Sequence, residues 1–391
     1  MSIKKVFVFL FTNICLFAIP SQAQTRKLRI SILTCAPGPE LYSTFGHTAI
    51  RIIDSTQGSD IVYNYGVIGE VLNYDDPVFY IRFMRGKLKY MLDAYSYSDF
   101  LNEYQMEQRS VWEQELNLTE IEKQTILDRL TQNLIGANKF YKYDFWLDNC
   151  STRPRDILLK TFPNIKITKP IIAKGTTPRM LIHNYLDKAG QSWSKLGIDL
   201  LLGSLMDKPI DDYGAMFLPD YFKLGLDNAN IGNQKLVKST STVLNLPSPI
   251  EPSNNYAPLI FTIILAMAFV VVYYFFRKNI AVNNILDSLF LFLTGLLGVL
   301  LFVMWTCTDH TVCKENYNLL WAMPFNIIVA FSLIKNRKWH KAYFVVCFLL
   351  NIVLIGGWFW LPQQFNIALL PIILLITYRD AYRIISLQKR K

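Results

Sequence analysis

The stretch YDFWLDNCSTRPRDILLK, residues 143–160, sets one cysteine between an acidic, aromatic run and the first turn of an expected helix. A helix N-terminus carries about half a positive charge and exposes unbonded N–H groups, so a thiolate at Cys150 would be stabilised there. Pro154 suits an early helical position, where its missing N–H costs nothing. Arg153 and Arg155 add positive potential. Three groups are candidate donors to a developing oxyanion: the Asn149 side chain, Ser151, and the backbone N–H of Cys150. These residue types point to a nucleophilic thiol, which needs a proton acceptor.

The chain has four histidines. His340 falls in an expected cytoplasmic loop and His310 in an outer loop. His183, in RMLIHNYLDKAG, has no polar partner evident nearby in sequence. His47, in STFGHTAIRI, follows a glycine and starts a half-buried strand, which gives a base a rigid backbone and an accessible ring. Other uses of these groups stay open. Cys150 has Cys35 as a candidate disulfide partner, and Cys307 and Cys313 form a second candidate pair. No ligand-pair spacing for zinc occurs among the exported His and Cys residues, so no metal is expected.

The elements that must position these groups are partly visible. KLRISILTCA, HTAIRIID and DIVYNYGVI alternate or concentrate β-branched residues and predict strands. NLTEIEKQTILDRLTQNLI predicts a helix capped by Asn117 or Thr119 with an acidic first turn. KLGIDLLLGSLMDKPIDDYGAMFLPDYF is apolar enough to be core or to sit beside a bilayer, with core favoured. STSTVLNLPSPIEPSNNYAP reads as a linker.

At the scale of the whole chain, MSIKK, an apolar run and PSQA read as an export signal over residues 1–23. Residues 24–240 are then an exported domain, 241–257 a linker, and 258–391 a membrane domain. Apolar segments of spanning length are expected near 258–276, 285–306, 317–334, 342–361 and 365–382, because roughly 20 residues cross a bilayer. Residues 24–256 hold 26 basic and 26 acidic side chains, whereas 257–391 hold 12 and 4. The positive excess therefore belongs to the membrane part and does not indicate nucleic acid. Lys and Arg cluster after the first, third and fifth segments. The C-terminus is accordingly expected in the cytoplasm, and the cysteine domain on the outer face of the inner (cytoplasmic) membrane, in the periplasm.

FGHTAIR, VYNYG, FYIRFMRGKLKY, YDFWLDNCSTRPRDIL and DLLLGSLMDKPIDDYGAMFLPDYF, in this order, resemble the Lnb-type lipoprotein N-acyltransferases of Bacteroidota. The likeness covers most of residues 27–225, and a helical membrane part follows as in that family. More distantly, histidine before cysteine resembles the circularly permuted papain-like group. The resemblance implies an α+β permuted papain-like periplasmic domain followed by an all-α membrane domain of about five transmembrane helices. It implies Cys150 as nucleophile and His47 as base. A papain-like site also needs a polar group to orient the imidazole, for which Asn64 on the next strand is preferred to Asp148.

The implied reaction moves a fatty acyl chain from a membrane phospholipid, through a Cys150 thioester, to the α-amino group of a lipoprotein's diacylglyceryl-cysteine, with no cofactor. Arg51, Arg153 and Arg155 are candidates for a lipid headgroup, although Arg153 and Arg155 would serve equally to solvate a helix face. Asp309 and His310 are candidates to line a lipid or lipoprotein path, or form a plain solvated loop. Two other readings compete: a membrane-anchored cysteine peptidase or amidase acting on peptidoglycan, and a non-enzymatic binding protein in which Cys150 is structural.

Overall fold

The computed structural model describes residues 26–69, 77–250, 255–335 and 337–388. The expected export signal lies outside these residues. Strands β1 (Leu28–Cys35) and β2 (His47–Asp54) pair antiparallel with Cys35 opposite His47. With β3 (Ser59–Ile68), β4 (Lys89–Ser96), β5 (Val111–Leu116), β6 (Phe140–Lys142) and β10 (Val237–Leu244) they form a seven-stranded sheet in the order β10-β5-β1-β2-β3-β4-β6. Every pairing is antiparallel. A small second sheet joins β7 (Ile165–Ile167), β8 (Ala229–Ile231) and β9 (Gln234–Lys235). The three strands expected from the sequence are β1, β2 and β3. Because β10 continues to Leu244, the ordered domain runs past residue 240 and the expected linker begins later. Residues 251–254 of that linker lie outside the described residues.

Side chains alternate along each strand, and here both faces are covered. One face meets α3 (Glu120–Leu134), α4 (Thr152–Thr161), α5 (Pro178–Lys188) and α7 (Pro219–Asp227). Ile30, Ile32, Ile50 and Tyr65 from the sheet pack there with Ile126, Leu158, Leu181 and Phe222. The other face meets α2 (Tyr97–Met106), where Leu33, Ala49, Val62 and Val111 surround Phe100 and Tyr104. Thr119 begins α3 in a reciprocal capping box with Glu122, so of the two expected caps it is the one used. A short helix, α1 (Pro77–Met84), lies between β3 and β4.

The helical part contains α8 (Ala257–Phe275), α9 (Ile280–Thr306), α10 (Asn326–Ser332), α11 (Trp339–Gly356) and α12 (Leu370–Gln388). Three of these, α8, α9 and α11, are long and apolar enough to cross a membrane. The segment expected at 317–334 is not one continuous helix. A 3-10 turn at Tyr317–Leu320 is followed by a break containing Pro324, then α10, then a further 3-10 turn at Leu333–Lys335. The break packs against glycines of α9: a Cβ on Gly298 would come within 2.2 Å of the Ala322 carbonyl oxygen. Backbone bonds continue at its edges, where the Ala322 N–H donates to the Asn318 carbonyl and the Asn326 N–H to the Met323 carbonyl, both at 3.0 Å. Asn326 Nδ2 donates to Thr294 Oγ1 at 2.9 Å, and the Tyr343 hydroxyl donates to Asn326 Oδ1 at 2.5 Å.

The segment expected at 365–382 lies at Leu370–Gln388 and carries Arg379, Asp380 and Arg383. Arg379 and Arg383 both pair with Asp287 of α9, and the Tyr273 hydroxyl donates to the same carboxylate at 2.7 Å. The sequence suggests that Asp287 reaches water at a helix end. It is instead buried and neutralised by two guanidinium groups, which is how a membrane interior accommodates a carboxylate.

The two parts of the chain meet along a polar seam built on α6 (Ser192–Leu201). Leu196, Leu200 and Leu201 pack with Leu301, Leu354 and Ile373 of the helical part. Met216, Phe217 and Phe222 belong to the core of the sheet domain, so the apolar stretch 195–222 serves both cores. Asp199 is the hub of the seam. Its Oδ1 accepts from Arg179 at 2.8 Å and from His183 Nε2 at 2.7 Å, and its Oδ2 accepts from Asn366 at 2.9 Å. His183 thus has a carboxylate partner that the local sequence did not reveal. Burial alone would raise the Asp199 carboxyl; His183, Arg179 and Asn366 outweigh it and hold it below its ordinary value. Asn316 donates to the Leu200 carbonyl at 2.7 Å, and the N–H groups of Gly203 and Ser204 donate to Val312 and Glu315 at 2.9 and 3.0 Å. The loops after α9 and α11 therefore lie on the same side as the sheet domain.

Gly203 has no room for a side chain, because a Cβ would sit 1.7 Å from the Lys314 carbonyl oxygen. Gly203→Ala is expected to cost about 1–3 kcal/mol, the usual penalty for overpacking, and to loosen the seam. Thermal unfolding of the detergent-solubilised chain, with limited proteolysis between the two parts, measures this. An unchanged midpoint and cleavage pattern would show that the seam tolerates the methyl group.

Candidate active site

Cys150 stands on a turn whose shape is set by Asn149. The Asn149 Oδ1 accepts the N–H groups of Ser151 at 2.8 Å and Thr152 at 2.9 Å, which caps the entry to α4. Thr152 Oγ1 answers by accepting the Asn149 N–H at 2.7 Å. The Asn149 amide donates to the carbonyls of Phe145 and Phe217, at 2.7 and 2.9 Å, so all its capacity is used. Asn149 is therefore a cap and not the oxyanion donor that its position next to Cys150 suggests. The Ser151 N–H is likewise committed to this cap. Among the described residues the Cys150 N–H makes no hydrogen bond, which leaves it as the donor available to an oxyanion.

β2 brings His47 to the same place. Gly46 precedes it with φ +76°, and a Cβ there would lie 2.7 Å from the Cys35 carbonyl oxygen, so only glycine makes this approach. β3 carries a bulge between Tyr65 and Val67, with Gly66 at φ +99°. A Cβ on Gly66 would be 3.7 Å from Cys150 Cβ and 3.8 Å from His47 Cε1, so both reactive side chains flank this one point. The absence of a side chain there keeps their approach open.

The imidazole stands beside the Cys150 side chain, both flanking Gly66, and its Nε2 lies 2.6 Å from Asn64 Oδ1. The Asn64 Nδ2 donates to the Tyr95 hydroxyl at 2.9 Å, and that hydroxyl donates to Glu103 at 3.5 Å. The amide is thereby turned with its oxygen toward His47. Nε2 carries the proton in this arrangement, and Nδ1 is left to exchange a proton with sulfur. Asn64, expected on the adjacent strand, is the polar side chain that meets the imidazole, and Asp148 is not. Asp148 forms a two-bond ion pair with Arg153 at 2.6 and 2.7 Å.

Cys150 and His47 shift each other's proton affinity. Burial alone would raise the Cys150 thiol. The imidazole of His47, by its charge and its hydrogen bond, together with the Thr48 N–H and the Ser151 hydroxyl, brings it below its ordinary 9.0. Burial would lower His47, but the Cys150 thiolate and the Asn64 oxygen raise it above 6.5. Ser151 is fully buried, and its hydroxyl lies 2.8 Å from Thr48 Oγ1. It supports the sulfur and does not face a substrate oxygen. Cys35, opposite His47 in the sheet, is buried and its thiol is pushed strongly upward, first by burial. Cys35 and Cys150 are both free thiols, as are Cys307 and Cys313, so neither candidate disulfide forms. No group of three or more metal-ligating side chains occurs among the described residues.

Residues 18–184 match the family model for the Lnb N-terminal periplasmic domain, and residues 250–391 match that for the Lnb transmembrane domain. The chain belongs to the Lnb family. It is a membrane-anchored protein with a periplasmic domain, and His47, Asn64 and Cys150 all lie in the segment that matches the Lnb periplasmic model. No curated protein and no solved structure matches the chain.

The remaining candidates from the sequence are distributed differently. Arg51 pairs with Asp60 at 2.6 and 2.8 Å and with Glu113 at 2.9 Å, beneath the ring of Tyr97, so it braces the sheet and is not open to a headgroup. Arg153, held by Asp148, lies 3.8 Å over the Tyr141 ring. Arg155 bonds Asp156 and the Tyr213 carbonyl, beside a shallow cavity of about 450 Å³ lined by Trp146, Leu147 and Lys160. Asp309 pairs with Lys142 at 2.5 Å, and its N–H donates to the Arg85 carbonyl at 3.0 Å, so the loop after α9 docks on the sheet domain. His310 packs there against Gly86. Sequence reasoning missed Thr48, Gly66 and Tyr95. Gly66 carries a visible signal, because a glycine interrupts the alternating run DIVYNYGVI.

Each group moves the other: the imidazole lowers the thiol and the thiolate raises the imidazole. Alkylation of Cys150 by iodoacetamide is therefore expected to rise with pH through a midpoint below 9.0. In His47→Ala the burial that raises the thiol remains and the cation that lowers it is gone, so the midpoint should move above 9.0. An unmoved midpoint would show that His47 does not tune the sulfur. Asn64→Ala should slow turnover by roughly 10²-fold, the scale of losing a positioned base.

Proposed function

We propose that the chain is a lipoprotein N-acyltransferase in which Cys150 carries the acyl group as a thioester. The observation that supports this reading most directly is the Cys150–His47–Asn64 alignment, in a chain whose two parts match the Lnb periplasmic and transmembrane domains. The Cys150 thiolate attacks the ester carbonyl of a phospholipid, and the oxyanion accepts from the Cys150 N–H. The ester C–O bond breaks as the imidazolium of His47 protonates the leaving lysophospholipid. The α-amine of a lipoprotein's diacylglyceryl-cysteine then attacks the thioester, its proton passes to His47, and the thiolate is released as the amide forms. Ester to thioester to amide needs no ATP, which suits the periplasm.

In this reading the domain is a permuted papain-like fold, all five helical segments cross the inner membrane, and the membrane confines donor and acceptor near the sulfur, raising their effective concentration. A peptidoglycan amidase would use the same pair with water as acceptor and would need no more than a tether.

Mass spectrometry of lipoproteins from a deletion strain is expected to show loss of the N-acyl group, restored by the wild-type chain. Cys150→Ala should fail to restore it, with a loss of at least about 10³-fold. Wild-type protein incubated with phospholipid vesicles should carry a hydroxylamine-labile acyl group on Cys150. Restoration of N-acylation by Cys150→Ala would sink the assignment, and release of peptidoglycan stem peptides without acyl loading would favour the amidase.

A further inference from the structure

The periplasmic domain carries an apolar face that its own core does not explain. Helix α1 reads PVFYIRFM, with Arg82 its one charged residue. Val78, Ile81 and Met84 each leave nearly half of their surface exposed, and they are three residues apart, so they fall along one side of the helix. Other exposed apolar residues of this domain, such as Met106 and Ile121, are on different helices. From Pro77 to Leu92 the chain holds Arg82, Arg85, Lys87 and Lys89 and no acidic residue. An apolar stripe beside a cluster of cations is the composition of a helix that lies in a membrane interface.

The position of α1 agrees with its composition. Helix α9 has 27 residues, about 40 Å at 1.5 Å per residue, against a hydrocarbon core of about 30 Å. Its outer end, where Trp305 is partly exposed, therefore reaches the headgroup level. Three residues past that end, the Asp309 N–H bonds the Arg85 carbonyl at 3.0 Å, and the His310 ring lies 3.3 Å from the place of a Gly86 Cβ. The C-terminal end of α1 is thus tied to the segment of chain that leaves the bilayer. Arg85, Lys87 and Lys142 surround the single carboxylate of Asp309, which leaves the site positive and suited to lipid phosphates.

We propose that α1 inserts its Ile81–Met84 face into the periplasmic leaflet and, together with the basic residues that follow it, holds phospholipid headgroups beside the reactive pair. The helix belongs to the connection between β3 and β4, and Gly66, which faces Cys150 and His47, lies on β3. The Gly69 N–H donates to the Lys89 carbonyl at 2.9 Å, so the basic segment that follows α1 returns within three residues of Gly66, on the strand that flanks the sulfur. This supply role rests on the proposed acyl transfer; the insertion itself does not.

The test uses the full chain in phosphatidylethanolamine–phosphatidylglycerol vesicles, with Cys307→Ser removing the exposed thiol and Cys150→Ala removing any reaction. An NBD fluorophore is attached at Ile81→Cys or Met84→Cys, with Ile121→Cys as the water-exposed control. Insertion predicts blue-shifted emission at 81 and 84, and quenching by lipids with a nitroxide high on the acyl chain. The label at 121 should show neither effect. Emission at 81 and 84 equal to that at 121 overturns the insertion.

For the supply role, Ile81→Asp/Met84→Asp with Cys150 intact should lose about tenfold in acyl loading from vesicles, as a buried charge weakens interfacial binding. Iodoacetamide reactivity should persist, which shows that the site is folded. Unchanged loading overturns the supply role. Absence of loading in the parent chain would instead count against the acyl-transfer reading, with the fluorescence result unaffected.

Discussion

The contact between the Cys150 sulfur and the His47 imidazole is the interaction on which the rest of the site depends. It joins residues about a hundred positions apart, and neither strand geometry nor helix geometry alone would bring them together. The Asn149 cap fixes where the sulfur stands. Gly46 lets the chain enter β2 close under the Cys35 carbonyl, which fixes where the ring stands. The bulge at Gly66 then leaves a gap between them that any other residue would narrow. Burial works against charge on both groups, and only their mutual attraction, with the Thr48, Ser151 and Asn64 hydrogen bonds, reverses it.

Much of this was legible in the sequence because it is local. A cysteine at the start of a helix, a glycine–histidine step opening a strand, and an asparagine on the following strand are each visible within about ten residues. Asn64 meets His47 because it lies on the antiparallel neighbour in a hairpin, and such neighbours are predictable from strand order. Other roles needed non-local information. Asn149 looks like a free amide beside a nucleophile, and nothing nearby announces that the carbonyl of Phe217 takes one of its hydrogens. Arg51 and Arg153 look available for phosphate until Asp60, Glu113 and Asp148 are seen against them. The partner of His183 is 16 residues away, across the turn between α5 and α6.

The membrane part shows the same division. Apolar length identified α8, α9 and α11, because a bilayer imposes that length directly. The interruption at Pro324 was hidden, since an apolar composition says nothing about backbone continuity. The break is accommodated where Gly295 and Gly298 let α9 approach, and Thr294 and Tyr343 hold the side chain of Asn326 just beyond it. Asp287 was similarly opaque: its two arginines come from α12, more than 90 residues away.

Asp199 and the carbonyls around it bind the sheet domain to the loops after α9 and α11 through desolvated hydrogen bonds rather than through a tether. Such a joint resists rotation as well as separation, because every bond has a direction. The sheet domain that carries the sulfur is consequently held in one orientation relative to the helical part. In the proposed acyl transfer, donor and acceptor would therefore bring their reactive atoms to a fixed site rather than meet a swinging one.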